Sequence, residues 1–377
     1  MNGSAHLLPA AEHPGTRGVA TPRADGRPGP PVMRILYLGP VSGTCLDRAH
    51  ALRRLGHAVT HIDPRRLLPA TPWVDRITWR LGGHLVAPWL MRSLPEQLAG
   101  LHFDVCHVDG GEWVTPRVVA LLRRHAALLV SYSIDDPLGP RDGARFKAFR
   151  QSLPLYDMHA VVRQENVAEA QALGATRVLR VYRSADEVSH APRRLTTHDH
   201  HRWDTEVLFL GTWFPERGPF LLELIRLGVP LAIQGPNWHK APEWPQLKAH
   251  WKGGAIGGDD YARAIQCAKV NLGLLSRTNR DLHTTRSLEI PALGALLCAE
   301  RTSEHTAMYS EGQEALFWND ARECAAMCRL ALRDDARRIA MARAGQCRVR
   351  ANGHFNQTVL ASLLEAAGAA EAAGAAA

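Results

Sequence analysis

The sequence predicts two α/β domains in tandem, each a doubly wound parallel sheet of the Rossmann-like type. Its 377 residues are more than one hydrophobic core usually organises and suit two domains of comparable size. Short apolar runs alternate with helical patterns in both halves, as expected for parallel strands covered on both faces. Each half also starts with an apolar strand that ends in glycine, at residues 35–39 and 207–211.

The first predicted domain spans residues 33–190. Residues 1–32 are predicted to precede it as a disordered arm, because their composition cannot bury enough apolar surface to fold, and Met33 is a candidate for the start of translation. Helical patterns between the strands end at Gly56 and Gly174, as glycine after a helix often indicates. The strand candidates are residues 35–38, 58–62, 104–108, 127–133, 158–162 and 178–182.

The second predicted domain spans residues 204–364. A linker without periodic pattern, residues 191–203, joins it to the first, and an alanine-rich tail at 365–377 is expected to fray. The histidine cluster at 198–201 leaves metal binding open, but we predict no metal site, since no helix or strand fixes its geometry there. The strand candidates of this half are residues 207–210, 231–234, 269–274, 295–299 and 315–318.

Composition narrows the class of protein. Hydrophobic residues make up 46% and charged residues 22%, as in soluble globular proteins. Apolar runs are shorter than a membrane span needs, and the arm has no signal-peptide core, so we expect a cytoplasmic protein. The seven cysteines form no Cys-x-x-Cys pair, which argues against a disulfide framework or zinc site. The net charge of +8 is spread along the chain, so we predict no nucleic-acid partner.

The turn after the first strand, residues 39–44, is rich in small residues. It lacks the full Gly-x-Gly-x-x-Gly spacing, and Asp63 beside Pro64 is the one acidic residue near the end of the second strand. A dinucleotide site is therefore disfavoured. Small residues at this point also let a strand and a helix approach each other.

Two adjacent carboxylates, Asp135 and Asp136, follow the fourth strand candidate and precede Pro137. Ligands of open α/β sheets bind at the carboxyl ends of the strands. The pair is therefore a candidate catalytic base or ligand of an acceptor hydroxyl. A helix N-cap is the alternative, because Asp before Pro is common there.

The densest polar signal is residues 279–294, which lead into a short apolar helix. Thr284 or Thr285 is predicted as its N-cap, and the free amides of the helix start suit a diphosphate. Arg286 adds a fixed charge, and Glu289, one turn on, is a candidate to accept both hydroxyls of a ribose. The alternative for Glu289 is a solvated helix residue.

A further candidate for a diphosphate is Arg217, in the turn that runs from Gly211 to Gly218. A guanidinium there can make two parallel hydrogen bonds to phosphate oxygens. A surface arginine is the alternative.

Residues 285–305 resemble the C-terminal signature of the CgeB-like glycosyltransferases, and segments 131–137 and 208–217 are similar to other parts of that family. The resemblance covers about residues 33–360 and implies the GT-B fold, in which two Rossmann-like domains face each other across a cleft. It implies a nucleotide-sugar donor on the second domain, an acceptor glycan, lipid or protein of unknown identity on the first, and no cofactor.

The resemblance also implies roles for single residues. Related enzymes carry a Glu-x7-Glu motif whose second member binds the donor ribose, and Glu289 takes that place. Asp281 stands where the first glutamate would be, so a contact to a sugar hydroxyl is implied for a shorter side chain. Arg217 and Gly218 resemble a pair of a basic residue and glycine that contacts the donor diphosphate in related enzymes. The residues implied on the acceptor side are Gly39, Ser42 and Gly43.

Asp135 and Asp136 stand where many relatives have a histidine, which leaves retaining and inverting chemistry both open. The overall expectation is a metal-independent transfer of a sugar from a nucleoside diphosphate to an acceptor hydroxyl. A nucleotide-sugar epimerase of the same shape and a non-catalytic sugar-binding or nucleotide-binding module are the alternatives.

Residues 64–99 combine tryptophans with arginines. One interpretation is a contact with an anionic membrane surface or a lipid acceptor, peripheral to the inner face of a membrane. The other is a pair of helices that pack their tryptophans onto the first domain. The residues concerned are Trp73, Trp79, Trp89, Arg65, Arg66, Arg76, Arg80 and Arg92.

Overall fold

The computed structural model describes residues 32–375, and the predicted arm lies almost wholly outside them. The first domain is built on a six-stranded parallel sheet with the order β2-β1-β3-β4-β5-β6. All six predicted strands are found there. They are β1 (Arg34–Leu38), β2 (Ala58–Ile62), β3 (Phe103–Asp109), β4 (Ala126–Ser133), β5 (Met158–Val161) and β6 (Val178–Arg180).

The second domain repeats this plan with the order β12-β11-β10-β7-β8-β9, again all parallel. Five of its six strands coincide with predicted ones. The sixth, β9, is a short edge strand whose Trp251 and Lys252 are exposed, so it has no apolar run. The strands are β7 (Thr205–Leu210), β8 (Leu231–Gln234), β9 (Trp251–Gly253), β10 (Ala268–Gly273), β11 (Leu297–Glu300) and β12 (Leu316–Trp318).

Helices cover both faces of both sheets, as the doubly wound pattern requires. In the first domain these are α1 (Gly43–Arg54), α2 (Pro72–Leu81), α3 (Ala87–Leu98), α4 (Pro116–Arg123), α5 (Lys147–Ser152) and α6 (Glu165–Ala172). The remaining helices are α7 (Thr197–Trp203), α8 (Arg217–Arg226), α9 (Trp244–Leu247), α10 (Gly258–Cys267), α11 (Arg286–Ala292), α12 (Ser303–Met308), α13 (Ala321–Arg333), α14 (Asp335–Ala351) and α15 (Asn356–Ala375).

The last helix, α15, belongs to the first domain although it ends the chain. Leu360, Leu363, Leu364 and Ala367 are buried in the same core cluster as Ile35 of β1. Their spacing of i, i+3, i+4, i+7 presents one apolar stripe to the first sheet. The predicted boundary at 364 therefore falls inside a packed helix, and residues 365–367 do not form the separate tail that the sequence suggested.

The chain crosses between the domains twice, side by side. Ala185 on the outward path pairs with Phe355 on the return path, through Ala185 N–H to His354 O at 3.0 Å and Asn356 N–H to Ala185 O at 2.9 Å. The predicted linker is only partly irregular, because its second half forms α7. A reciprocal capping box between Thr196 and Asp199 starts that helix.

Within residues 32–375, no helix is both long and apolar enough to span a membrane.

Candidate functional site

A cavity of about 280 Å³ lies between the two domains, at the carboxyl edges of both sheets. This is the edge at which open α/β sheets bind ligands. The cavity brings together five of the residues predicted from the sequence: Asp135, Arg217, Asp281, Thr284 and Thr285. Its other lining residues include Trp79, Arg141, Asp142, Arg145, Arg183, Phe214, Ser276 and Asn279.

Arg217, at the start of α8, is buried at the wall of this cavity. Its guanidinium donates to Thr212 O at 2.8 Å and to Leu274 O at 3.1 Å, and its hydrogen bonds within residues 32–375 all go to backbone carbonyls. Its Nε has no hydrogen-bond partner among these residues. Burial lowers the pKa of Arg217 to about 10, so it is still a cation at neutral pH. The surface-arginine alternative is therefore wrong.

The loop before α11 adds neutral polar atoms to the cavity. Thr284 Oγ1 and Asn279 Oδ1 are buried, line the cavity and lack a hydrogen-bond partner in the described part of the chain. Thr285 occupies the N-cap position of α11, as predicted, but its side chain makes no capping bond. A buried polar atom left unpaired costs about 1–3 kcal/mol. This wall is therefore organised for a polar ligand.

Asp281 also lines the cavity, but its carboxylate is held by the other domain. Arg183 Nη2 lies 2.9 Å from its Oδ1, and Arg163 Nη2 is bonded to the same oxygen. All three side chains are at most 7% exposed. Asp281 is thus first an interdomain ion-pair partner, which the implied contact to a sugar hydroxyl did not anticipate.

A second interdomain ion pair involves Asp136, which is fully buried. Arg280 donates to Asp136 at 2.6 and 2.8 Å and to Glu169 at 2.6 Å, and Asn166 Nδ2 lies 2.9 Å from Asp136 Oδ1. Burial would raise the pKa of Asp136, but the bonds from Arg280 and Asn166 outweigh it and lower the pKa. We call these two sets of contacts, Arg163/Arg183–Asp281 and Arg280–Asp136/Glu169, the interdomain latch.

Asp136 differs in this respect from its neighbour Asp135. The Asp135 side chain is 45% exposed, lines the cavity and forms an ion pair with Arg145 at 3.2 Å. The structure therefore separates two carboxylates that the sequence could not tell apart. Asp136 does not act as an α-helix N-cap, because its carboxylate accepts the Gly139 amide at 2.9 Å in a loop.

Glu289 is 2% exposed and does not line the cavity, so the solvated-helix alternative is excluded. Its Oε2 accepts hydrogen bonds from Tyr261 at 2.5 Å and Arg286 at 2.6 Å. Among the described residues, the one polar contact of Oε1 is His190 Nε2 at 3.4 Å. Burial would raise the pKa of Glu289, but the Arg286 charge outweighs it and lowers the pKa. Glu289 and Arg286 thus form an ion pair with each other.

Gly211 does not line the cavity either. A Cβ there would come within 2.8 Å of the Phe209 ring, and its carbonyl accepts the indole N–H of Trp238 at 3.0 Å. Gly211 is thus required for close packing after β7.

On the first domain, a second cavity of about 390 Å³ adjoins the first, with which it shares Trp79 and Arg145. Ser42, predicted on the acceptor side, lines it. Gly43 beside Ser42 starts α1 with φ +52°, a conformation that favours glycine. At Gly39 a Cβ would lie 3.0 Å from the Cβ of Asp109, so the space suits glycine best.

The latch arginines were missed by the sequence analysis. Arg163 and Arg183 each follow a strand of the first sheet, β5 and β6, by two or three residues, so their position at the carboxyl edge was a usable signal. Their shared partner, Asp281, lies 118 residues from Arg163 and 98 residues from Arg183, so no local sequence pattern connects them.

Comparisons with known proteins agree with this architecture. Residues 217–365 match the sequence model of the family described as glycosyl transferase-like. A search of curated proteins returns no match. Sucrose-phosphate synthase from Thermosynechococcus elongatus shares the fold with a TM-score of 0.66 and 13% identity, over 90% of this chain and 100% of that one.

Two further solved structures are similar. The α,α-trehalose 6-phosphate synthase of Burkholderia multivorans has a TM-score of 0.61 and 12% identity, over 91% of this chain and 100% of that one. Anabaena Alr3699/HepE, solved in complex with UDP-glucose, has a TM-score of 0.58 and 12% identity, over 89% and 99%. The fold is therefore GT-B, as predicted, whereas nothing in these comparisons is specific to the CgeB-like subtype.

Proposed function

We propose that this chain is a GT-B glycosyltransferase that moves a sugar from a nucleoside-diphosphate donor to an acceptor hydroxyl. The observation that carries the proposal is the cavity between the domains, where the Arg217 cation and the unpaired oxygens of Asn279 and Thr284 face one space. The match of residues 217–365 to a glycosyl transferase-like family supports it. The CgeB-like family is the subtype that the sequence favours.

In this proposal the donor diphosphate lies against Arg217 and the loop at Thr284 and Thr285. A buried guanidinium bonded only to carbonyls keeps its charge available for an anion, and charge-assisted hydrogen bonds are about twice as strong as neutral ones. As the bond to the sugar breaks, negative charge grows on the diphosphate. Arg217 would stabilise that charge without a metal ion.

For the ribose we propose Oε1 of Glu289, the carboxylate oxygen that is not bonded to Tyr261 or Arg286. Because Glu289 does not line the cavity, this contact requires a shift of α11 or of the side chain when the donor binds. Arg286 is fixed by the same carboxylate and would act beside the diphosphate.

On the acceptor side we propose Asp135 as the group that orients or deprotonates the hydroxyl. It is the more exposed of the two aspartates and lines the cavity on the first domain. The adjoining cavity at Ser42 and Trp79 would hold the rest of the acceptor. Asp136 has a structural role in this scheme.

We also propose that the face of α2 and α3 contacts an anionic membrane surface. The structure leaves Trp73 and Trp89 40% exposed, so they are not packed away on the first domain, whereas Trp79, 50% exposed, lines the two cavities. Exposed arginines of the same segment are Arg66, Arg76, Arg80 and Arg92. When phosphatidylglycerol vesicles are sedimented, the wild-type chain should appear in the pellet with them. The double variant Trp73→Ser with Trp89→Ser should stay in the supernatant. Equal binding of the wild type to neutral vesicles would contradict the proposal.

A thermal-shift screen with UDP-, GDP-, dTDP- and CMP-sugars tests the function directly. One class of donor should raise the melting temperature of the wild type but not of Arg217→Met. An acceptor hydroxyl should then be glycosylated in the presence of EDTA. Consumption of the donor without any acceptor would favour the epimerase, and binding without turnover would favour the non-catalytic module.

A further inference from the structure

Three potential metal ligands converge outside the cleft, where α7 meets the end of α10. His200 lies on α7, Asp204 immediately follows it, and Cys267 is the last residue of α10. The spacing of four residues places His200 and Asp204 on one face of the helix, with Nδ1 and Oδ1 2.8 Å apart. One ligand atom from each of the three residues lies within 4.8 Å of the other two.

The surroundings of the trio leave it accessible to a cation. The three residues line a cavity of about 530 Å³, with the Cys267 side as its more buried part. Lys269 and Arg338 also line this cavity, but each is neutralised by its own carboxylate, Glu206 at 2.8 Å and Asp335 respectively. Within residues 32–375, His200 is the one ion-pair partner of Asp204.

We propose that His200, Asp204 and Cys267 bind one divalent cation of the zinc class. Zinc binds imidazole nitrogen, carboxylate oxygen and thiolate sulfur, whereas magnesium and calcium prefer oxygen ligands alone. The thiol of Cys267 would release its proton to solvent as the S–metal bond forms. Carboxylate and thiolate together then carry two negative charges, so the bound cation is neutralised, and water from the cavity completes the shell.

A second trio, Cys298, Cys324 and Cys328, is close enough for the same geometry but differs in its environment. All three side chains are fully buried among apolar residues of the second-domain core. Three thiolates around a divalent cation would leave a net negative charge there, which is costly in an apolar interior. We therefore interpret that trio as core packing.

A cation at the proposed site would connect two helices of the second domain. α7 is the first helix after the chain enters the second domain, and a cation would fasten it to α10. α10 also carries Tyr261, which is hydrogen-bonded to Glu289. The cation should therefore stabilise the second domain. This stabilisation does not depend on whether the chain transfers a sugar.

Cobalt(II) is the probe for this site, because its thiolate complexes absorb in the near ultraviolet and its tetrahedral complexes in the visible range. The full-length chain, purified without a histidine tag and treated with EDTA, is titrated with CoCl₂ and then with ZnCl₂. The variants are Cys267→Ser and His200→Ala. Cys347→Ser is the matched control, since Cys347 is an exposed cysteine outside both trios.

We expect one cobalt ion per chain, a charge-transfer band that zinc abolishes, and the same band in Cys347→Ser. Cys267→Ser should lose the band. His200→Ala should bind cobalt at least about a hundredfold more weakly than the wild type, since even loss of a group that only orients a ligand lowers metal affinity about 10–100-fold. His200 is exposed, so His200→Ala should keep the apo melting temperature. Absence of binding to the wild type, or binding unchanged in both variants, would overturn the site.

Discussion

The loop at residues 279–285 has two sides that are built in opposite ways. On one side Arg280 and Asp281 are saturated with charged partners from the first domain. On the other, Asn279 and Thr284 hold buried oxygens without a partner among the described residues, next to Arg217. Charge pairing thus locates the structural latch, and unmet hydrogen-bonding capacity locates the candidate ligand site, within seven residues of each other.

The sharpest test of the latch is Asp281→Ala. The change leaves Arg163 and Arg183 buried without their carboxylate, so the free energy of unfolding should fall by about 3–5 kcal/mol. Urea denaturation followed by circular dichroism measures this loss. Glu223→Ala is the control, because its ion pair with Arg226 is exposed and should contribute less than about 1 kcal/mol. Equal stabilities of the two variants would show that the latch does not hold the domains together.

The complementary test on the ligand side is Arg217→Met. Loss of one preorganised charge at a transition state lowers kcat by roughly 10²–10³-fold, and we expect that fall in donor turnover. The melting temperature should fall moderately, because the carbonyls of Thr212 and Leu274 lose their donor, but less than in Asp281→Ala, which leaves charged groups unpaired. Arg226→Met, at the exposed end of the same helix, should retain full turnover. If Arg217→Met unfolds the chain but the folded fraction still turns over donor, Arg217 belongs with the latch.

The two aspartates allow the same comparison within one dipeptide. Asp135→Asn should lower turnover by about a hundredfold, as for loss of a general base, with donor affinity unchanged. Asp136→Asn should instead lower the free energy of unfolding, because it weakens the contacts to Arg280. Steady-state kinetics and urea denaturation of both variants distinguish the roles, and a reversal of the two outcomes would refute this assignment.

Glu289→Gln should have the smallest effect. The amide keeps one acceptor oxygen, so donor affinity measured by calorimetry should fall by about tenfold, the equivalent of one hydrogen bond of about 1.4 kcal/mol. Stability should also fall, because the negative partner of Arg286 is lost. That stability is present above the usual carboxyl pKa and disappears as pH falls through the lowered pKa of Glu289. Unchanged donor affinity with reduced stability would make Glu289 purely structural.

The sequence was sufficient for the sheets because buried parallel strands are continuous apolar runs that need no partner to be recognised. It was insufficient for β9, whose exposed Trp251 and Lys252 break that rule. It was also insufficient for α15, where alanine-rich composition hid the stripe of Leu360, Leu363 and Leu364.

The candidate site likewise contains residues that the sequence could predict and residues whose role it could not. Residue type and position at the sheet edge were enough to select Asp135, Arg217 and Thr284, which the cavity brings together. They could not show that Asp136 and Asp281 are already paired, because those partners lie far away in the chain and only the folded arrangement of the two domains brings them close.

The position of α15 has a consequence for the order in which the chain is made. The last strand of the first sheet, β6, ends at Arg180, but the helix that covers this domain's core begins at Asn356. At a synthesis rate of about 5–20 residues per second, roughly 10–40 s pass between the synthesis of β6 and the completion of α15. During that interval the part of the sheet face that α15 covers beside α1 stays open, so a chaperone that binds nascent chains should engage the first domain for longer than the second.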